Sequence, residues 1–492
     1  MIYSNELRKH VEAAQIAFGL SATRAELNNR IIEPPYLVTA SGLLNLVKHT
    51  RPWNIILVLI GALAAAVAIA WAMGRHTSSA SAGSPPPGPD ASYDQTLVAK
   101  GAWLAAIGNC NTCHTASNGR TFAGGRPLST PFGTIYATNI TPDRETGIGS
   151  WSPSDFLRAM HQGVDRDGRN LYPAFPYDHF THVADADVSA IYAFLMTRDP
   201  VRAKTPANRI LVPRPAISVW KALYFKPGPL APDAAHDASW NRGRYLVDGL
   251  AHCGGCHTPR NALGAEKERE DLAGGTVEGW RAPALNEASP APSLWTAEQL
   301  VVYLRTGFDA AHGTAAGAMA PVAHNLSSVP EAEVSAIAVY IAARMAASAG
   351  ARATAAGNAP GSQGAALVER SARGDDARQA DVRPAKDGDA IYRTACADCH
   401  DGGRRGIALG YSSSMTDTTP ANLIRVTLDG IHPREGEKGE LMPAFRGALD
   451  DTQLASLIAF LRARFSRAPP WQDIGGEVAK AKRERESEDR KS

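Results

Sequence analysis

All six cysteines of the chain fall in C-x-x-C-H pentapeptides: Cys110-Asn-Thr-Cys113-His114, Cys253-Gly-Gly-Cys256-His257 and Cys396-Ala-Asp-Cys399-His400. Two thiols three positions apart can each close a thioether to one vinyl group of a single haem, while the adjacent imidazole reaches the iron. The pattern therefore predicts three covalently bound haem c groups, with His114, His257 and His400 as proximal ligands. One such pair would also suit a redox dithiol or half of a zinc site. Three copies, each followed by His, with no second C-x-x-C at ribbon spacing and no cysteine left for a disulfide, favour haem. Each haem is a flat apolar body for a small domain to wrap, which offsets an aromatic content of only 7%.

Between its low-complexity stretches the chain repeats itself. Each unit opens on a helix-compatible segment holding Gly and an aromatic residue: Gly101 and Trp103, Gly243 and Tyr245, Gly388 and Tyr392. Each closes on an amphipathic helix at Asp187–Leu195, Glu333–Ile341 and Gln453–Leu461, with acidic residues at its start that suit a helix N-terminus. Opening helix, haem motif, loop and closing helix is the cytochrome c plan. The expected fold is mainly α, with three tandem class I cytochrome c domains after a single N-terminal transmembrane helix.

From Pro52 to Gly74 no residue carries a charge, enough chain to cross a hydrocarbon core, with Trp53 and Trp71 near its ends. Lys48, His49 and Arg51 against Arg75 place the N-terminus inside and the haem region outside. A cleaved signal peptide ending at Ala80-Ser-Ala82 is the rival reading. The expected layout is an N-terminal extension (1–51), a transmembrane anchor (52–74), a linker (75–92), cytochrome c domains at 93–232 and 236–345, a flexible linker (346–386), a third domain (387–467) and a charged, frayed tail (468–492). The long second linker implies a third domain that is tethered rather than fused. Net charge is +2, which leaves no nucleic-acid footprint.

An electron-carrying haem takes a sixth ligand, often a Met thioether. Met442 in Leu-Met-Pro-Ala-Phe and Met319 in Gly-Ala-Met-Ala-Pro occupy Gly- or Pro-containing loops ahead of the closing helices. In the first unit the corresponding loop reads Leu171-Tyr-Pro-Ala-Phe175-Pro-Tyr177, and Phe cannot bind iron. His179 is the first candidate there, with His161 and Met160 as alternatives. Arg126 is a candidate partner for a haem propionate.

The stretches Asn109-Cys-Asn-Thr-Cys-His-Thr, Ala123-Gly-Gly-Arg-Pro-Leu-Ser-Thr-Pro-Phe-Gly-Thr-Ile and Thr138-Asn-Ile-Thr-Pro-Asp-Arg-Glu-Thr-Gly resemble the triple-haem cytochrome c subunits of membrane-bound bacterial dehydrogenases. Those subunits serve alcohol, aldehyde and gluconate dehydrogenases; related ones accompany molybdenum hydroxylases of the nicotinate and isoquinoline kind. His252 to Asn261 and Gly317 to Met319 extend the likeness, while the third unit looks more like a generic class I cytochrome c. The alcohol dehydrogenase branch has Pro-Ala-Met-Pro-Tyr where this chain has Phe175. The resemblance implies electron transfer from a catalytic dehydrogenase subunit (quinoprotein, flavoprotein or molybdenum hydroxylase) to ubiquinone or a terminal oxidase. It places the haem domains on the periplasmic side of the bacterial cytoplasmic membrane. No G-x-G-x-x-G behind a strand, H-E-x-x-H or nucleophile elbow supplies a catalytic centre of its own. The runner-up is a peroxidase-like haem enzyme with an open first iron; a haem-based sensor is a third reading.

Overall fold

Three glycines decide how the helices meet. A Cβ built on Gly101 would lie 1.9 Å from the carbonyl oxygen of Ala190 and 2.7 Å from Phe194 Cβ. On Gly243 it would meet Ala336 O at 2.0 Å and Tyr340 Cβ at 2.7 Å, and on Gly388, Ser456 O at 2.3 Å and Phe460 Cβ at 2.7 Å. In each unit, then, the opening helix crosses the closing helix backbone against backbone, and any side chain at the crossing would force the pair apart.

The computed structural model describes residues 93–346, 383–401, 406–432 and 441–489. In chain order the longer helices are α1 (Gln95–Ile107), α2 (Pro153–Gln162), α3 (Asp185–Met196), α4 (Ala216–Tyr224), α5 (Ala238–Arg244), α6 (Ala297–Thr306), α7 (Met319–Ser327), α8 (Glu331–Ala346), α9 (Arg383–Ala395), α10 (Ala421–Asp429), α11 (Asp451–Phe465) and α12 (Ile474–Asp489). The crossings are α1 on α3, α5 on α8 and α9 on α11. Capping boxes start α2 (Ser152 with Asp155), α6 (Thr296 with Gln299) and α11 (Asp450 with Gln453). A π-helical segment, Tyr245–Leu250, prolongs α5 towards the second motif. Small antiparallel strands complete the units: β1 (Pro127–Thr130) with β2 (Gly133–Tyr136) and β3 (Arg209–Ile210), and the hairpin of β4 (Gly275–Val277) and β5 (Trp280–Ala282).

The expected fold class is corrected on two counts. First, no described helix is long and apolar enough to cross a membrane, and the expected span at residues 52–74 lies outside the described residues. Second, three separate domains are not shown, because the first two units share a core. Leu104, Ile107, Val183 and Ile191 of the first unit and Leu246, Leu250, Leu326 and Ile337 of the second belong to one continuous core. Burying side chains of this size contributes about 1.5–3 kcal/mol each. A polar seam follows the same boundary. Buried Asp187 takes an ion pair from Lys100 at 2.6 Å and a hydrogen bond from the Tyr245 hydroxyl at 2.8 Å.

The third unit has its own core around Tyr392, Ile424, Leu454, Ile458 and Phe465. It is nonetheless seated on the second unit rather than merely tethered. Asn422 clasps the backbone of Arg281, accepting from its N–H at 2.9 Å and donating to its carbonyl at 2.8 Å. The expected frayed tail is also corrected. It forms α12, whose Val478 and Ala481 are buried in the third core, whose Glu484 pairs with Arg425, and which Trp471 precedes as a further buried anchor.

Replacing Gly243 with Ala should destabilise the protein by about 1–3 kcal/mol, because the obstacle is backbone and cannot swing aside. Gly475→Ala, at the start of α12 with nothing within 4 Å of its built Cβ, should be neutral or slightly stabilising. Thermal melts of the two variants followed by circular dichroism check the contrast.

Candidate haem-binding sites

Each C-x-x-C-H motif forms one tight helical turn after its opening helix: Cys110–Cys113, Gly254–His257 and Ala397–His400. The chain enters the first two through left-handed residues, Asn109 (φ 51°) and His252 (φ 40°). Such a bend lets an α-helix stop and the thiol-bearing turn start within a few residues.

The three motif histidines share one hydrogen-bond pattern. Nδ1 of His114 lies 2.6 Å from the carbonyl oxygen of Thr138, that of His257 lies 2.7 Å from Pro283 O, and that of His400 lies 3.0 Å from Ile407 O. A carbonyl only accepts, so Nδ1 carries the hydrogen and Nε2 keeps a free lone pair. That tautomer is the one an iron-binding imidazole needs, and the carbonyl fixes the ring's rotation. Burial lowers the pKa of His114 and His257, which keeps them neutral. It also pushes the thiols of Cys110 and Cys253 up to about 12 and those of Cys256 and Cys396 up to about 11. A redox dithiol or thiolate site requires the opposite shift.

A single cavity of about 380 Å³ joins the second and third motifs. Cys253, Cys256 and His257 line it with Met319, and Cys396, Cys399 and His400 line it with Met442. Met319 is the first residue of α7 rather than part of a loop. Met442 pairs with Ile431 through two backbone hydrogen bonds, Ile431 N–H to Met442 O at 2.9 Å and Met442 N–H to Ile431 O at 2.8 Å. The donor set fits haem c in another respect. Arg281 Nε is buried among the lining residues without a hydrogen-bond partner, and a cofactor bearing carboxylates would satisfy such a donor. His312 also lines the cavity, but its Nε2 donates to Gln299 Oε1 at 3.2 Å, which leaves Nδ1 an acceptor. His312, stacked 3.6 Å from Trp295, had no motif around it to single it out in the sequence.

The first site differs. Phe175 packs on Phe180, with ring centroids 5.3 Å apart. His161 directs Nε2 to Val183 O at 2.8 Å, and Met160 lies in the shared core. His179, the expected sixth ligand of the first site, makes its contacts with the second unit. It lies beside the second motif, where a Cβ built on Gly254 would come 3.0 Å from its Cε1. Its Nδ1 meets Asp248 O at 2.7 Å and its Nε2 meets Glu266 Oε1 at 3.0 Å, so both nitrogens are engaged. Arg126 is likewise committed elsewhere than to a propionate, donating to Thr112 O at 2.8 Å and to both carboxylate oxygens of Glu278 at 2.8 and 3.0 Å.

Residues 383–461 match the family described as cytochrome c oxidase, cbb3-type, subunit III. The chain is 36% identical over 406 residues to the fructose dehydrogenase cytochrome subunit of Gluconobacter japonicus, covering 77% of this chain and 81% of that one. It is 35% identical over 398 residues to the gluconate 2-dehydrogenase cytochrome c subunit of Pantoea cypripedii, covering 76% and 86%. The chain belongs to this family of dehydrogenase cytochrome subunits. It is also 42% identical over 409 residues to a nicotinate dehydrogenase subunit of Pseudomonas putida; the match takes in 81% of this chain but only 33% of that longer protein.

In this cytochrome subunit the His179–Glu266 contact titrates in a definite sense. Burial alone would lower the His179 pKa, but the Glu266 carboxylate, Asp178 and the Asp248 carbonyl outweigh it and raise it to about 9. His179, with both nitrogens protonated, is then a cation on Glu266, whose own pKa is lowered by that pair and by Arg260 despite burial. A folded pKa above the unfolded value of about 6.5 stabilises the protein fully below pH 6.5. That contribution is lost as pH rises through about 9. On the acid side it declines as Glu266 protonates. Glu266→Gln should cost on the order of 3 kcal/mol at pH 6 and flatten the fall in thermal midpoint between pH 6 and pH 9, measured by calorimetry at both.

Proposed function

We propose that the chain binds three haem c groups and carries electrons from the catalytic subunit of a dehydrogenase to the respiratory chain, at ubiquinone or a terminal oxidase. The observation that carries this reading is the threefold recurrence of a thioether motif whose histidine is held by a backbone carbonyl with Nε2 free. Bound haem supplies a reversible one-electron ferrous–ferric couple. The residues do the rest. Cys110 and Cys113, Cys253 and Cys256, and Cys396 and Cys399 supply the attachment thiols; His114, His257 and His400 offer the proximal nitrogens. Met319 and Met442, which line the same cavity, would offer thioethers to the second and third sites, a ligand type that raises potential relative to a second imidazole. The second site is the central one. It shares a cavity with the third, and Ile107 and Asn109 of the first unit form part of its wall.

The catalytic partner we infer is of the nicotinate kind, a molybdenum hydroxylase. Identity to the nicotinate relative is 42%, against 36% and 35% for the fructose and gluconate cytochromes. The site of action we propose is the periplasmic side of the bacterial cytoplasmic membrane, where c-type haem is attached.

A second reading has one observation in its favour. Phe175 stands where the loop would supply a thioether, and His179 and His161 are both bonded elsewhere. A first iron left open would make this a peroxidase-like haem enzyme. Carbon monoxide added to the reduced protein separates the two: electron transfer predicts no binding, whereas one equivalent per chain would favour the enzyme. A pyridine haemochrome assay should return three haems per chain; a count of two would overturn the three-site reading. Met442→Leu should lower the potential of one haem and leave that count unchanged, as read in a spectroelectrochemical titration.

A further inference from the structure

Asn325 sits on α7, six residues beyond Met319, and is 5% exposed. Its amide does not serve its own unit. The two hydrogens of Nδ2 serve three acceptors, one of them shared: Asn109 Oδ1 at 2.8 Å, Asn111 Oδ1 at 3.0 Å and Thr112 Oγ1 at 3.0 Å; Oδ1 accepts from Asn111 Nδ2 at 3.1 Å. All three partners belong to the first haem-attachment loop, more than 200 positions away in the chain. The acceptor face of Asn109 is itself set, because its Nδ2 donates to Ile107 O at 3.3 Å. A second clasp, Arg126 between Thr112 O and Glu278, holds the same loop to the β4–β5 hairpin of the second unit.

We propose that Asn325 is a positioning residue that ties the first attachment loop to the helix bearing Met319, so that the second site keeps its thioether in place through the loop of the first. Its counterpart at the third site is lacking, since the second attachment loop has His252, Gly254 and Gly255 where the first has Asn109, Asn111 and Thr112. The two sites that share a cavity should thus differ in how they depend on the first unit. This inference rests on Met319 and Met442 as ligands, and its test separates the two claims.

The full chain is purified with its haems, and the weak red absorption band of thioether-bound ferric haem is titrated with imidazole, which competes for the distal position. Met319→Leu and Met442→Leu should each remove one share of the band and so assign the shares. In Asn325→Ala, imidazole should displace the Met319 share at about tenfold lower concentration, the effect of losing one or two net buried hydrogen bonds, with the Met442 share unmoved. Asn325→Asp, nearly identical in shape, turns a carboxylate oxygen on Asn109 Oδ1 and should weaken the same share at least as much. Should either fail to fold, Asn111→Ala approaches the knot from the other side. It lies in the first motif, leaves C-x-x-C-H intact and should shift the second site. If Met319→Leu removes its share but the Asn325 and Asn111 variants titrate like the parent, the positioning role is wrong. If Met319→Leu leaves the band whole, the ligand assignment is wrong instead.

Discussion

The crossing of opening and closing helices is the constraint from which the rest of the structure follows. At van der Waals contact between Gly101 and the Ala190 carbonyl, or Gly243 and that of Ala336, two helices come closer than ordinary side chains permit. The haem-attachment turn is joined to the end of the opening helix within a few residues, so the crossing also fixes where the thiols and the motif histidine stand. Phe194, Tyr340 and Phe460, one turn beyond the crossing on the closing helix, close over the glycine and keep water from the exposed backbone. A haem site of this kind needs no long-range code beyond a glycine, an aromatic residue and the pentapeptide at set distances.

That economy explains which features were legible in the sequence. The motifs and the repeated opening and closing helices are local or periodic signals, and α1, α3, α5, α8, α9 and α11 fall where the pattern put them. What was not legible depends on pairings between distant residues. The internal repeat and an Ala- and Gly-rich linker read as separate domains, yet Leu104 and Leu250 are in one core, and Asn422 grips Arg281. The tail looked like a solvated charge run because its apolar stripe is thin; Val478, Ala481 and Trp471 suffice once α10 and α11 offer a surface. His179 was assigned by its nearness to the first unit's ligand loop. Its two nitrogens are taken instead by Glu266 and Asp248, both in the second unit and both distant in the chain.

Fusing the first two units has an electronic consequence. Electron transfer between haems weakens steeply with separation, so a carrier chain benefits from sites whose spacing cannot drift. Two loosely tethered domains would sample a range of distances. A shared apolar core, the Lys100–Asp187–Tyr245 seam and the Asn325 knot instead leave one arrangement. Polar links buried at such a boundary are costly unless every partner is satisfied. Asn325 meets that condition with both its amide nitrogen and its oxygen bonded, so the knot specifies one docking geometry as well as stabilising it.

The third unit is joined by different means, and the difference has a physical rationale. Its core is separate, and its seat on the second unit combines a polar clasp around Arg281 and Asn422 with Arg425 stacked over Trp280. Interfaces of that kind open at lower cost than a continuous apolar core. The cavity between the second and third motifs lies along this seam, so its shape is set by two bodies rather than one. Apolar walls there come from both units, Leu300 and Leu304 on one side and Leu423 and Leu457 on the other. Two apolar cofactors inserted between those walls would add contact area across the seam that the protein alone lacks. Attachment of haem is thereby expected to tighten the third unit onto the second, making cofactor loading and assembly one process at this end of the chain.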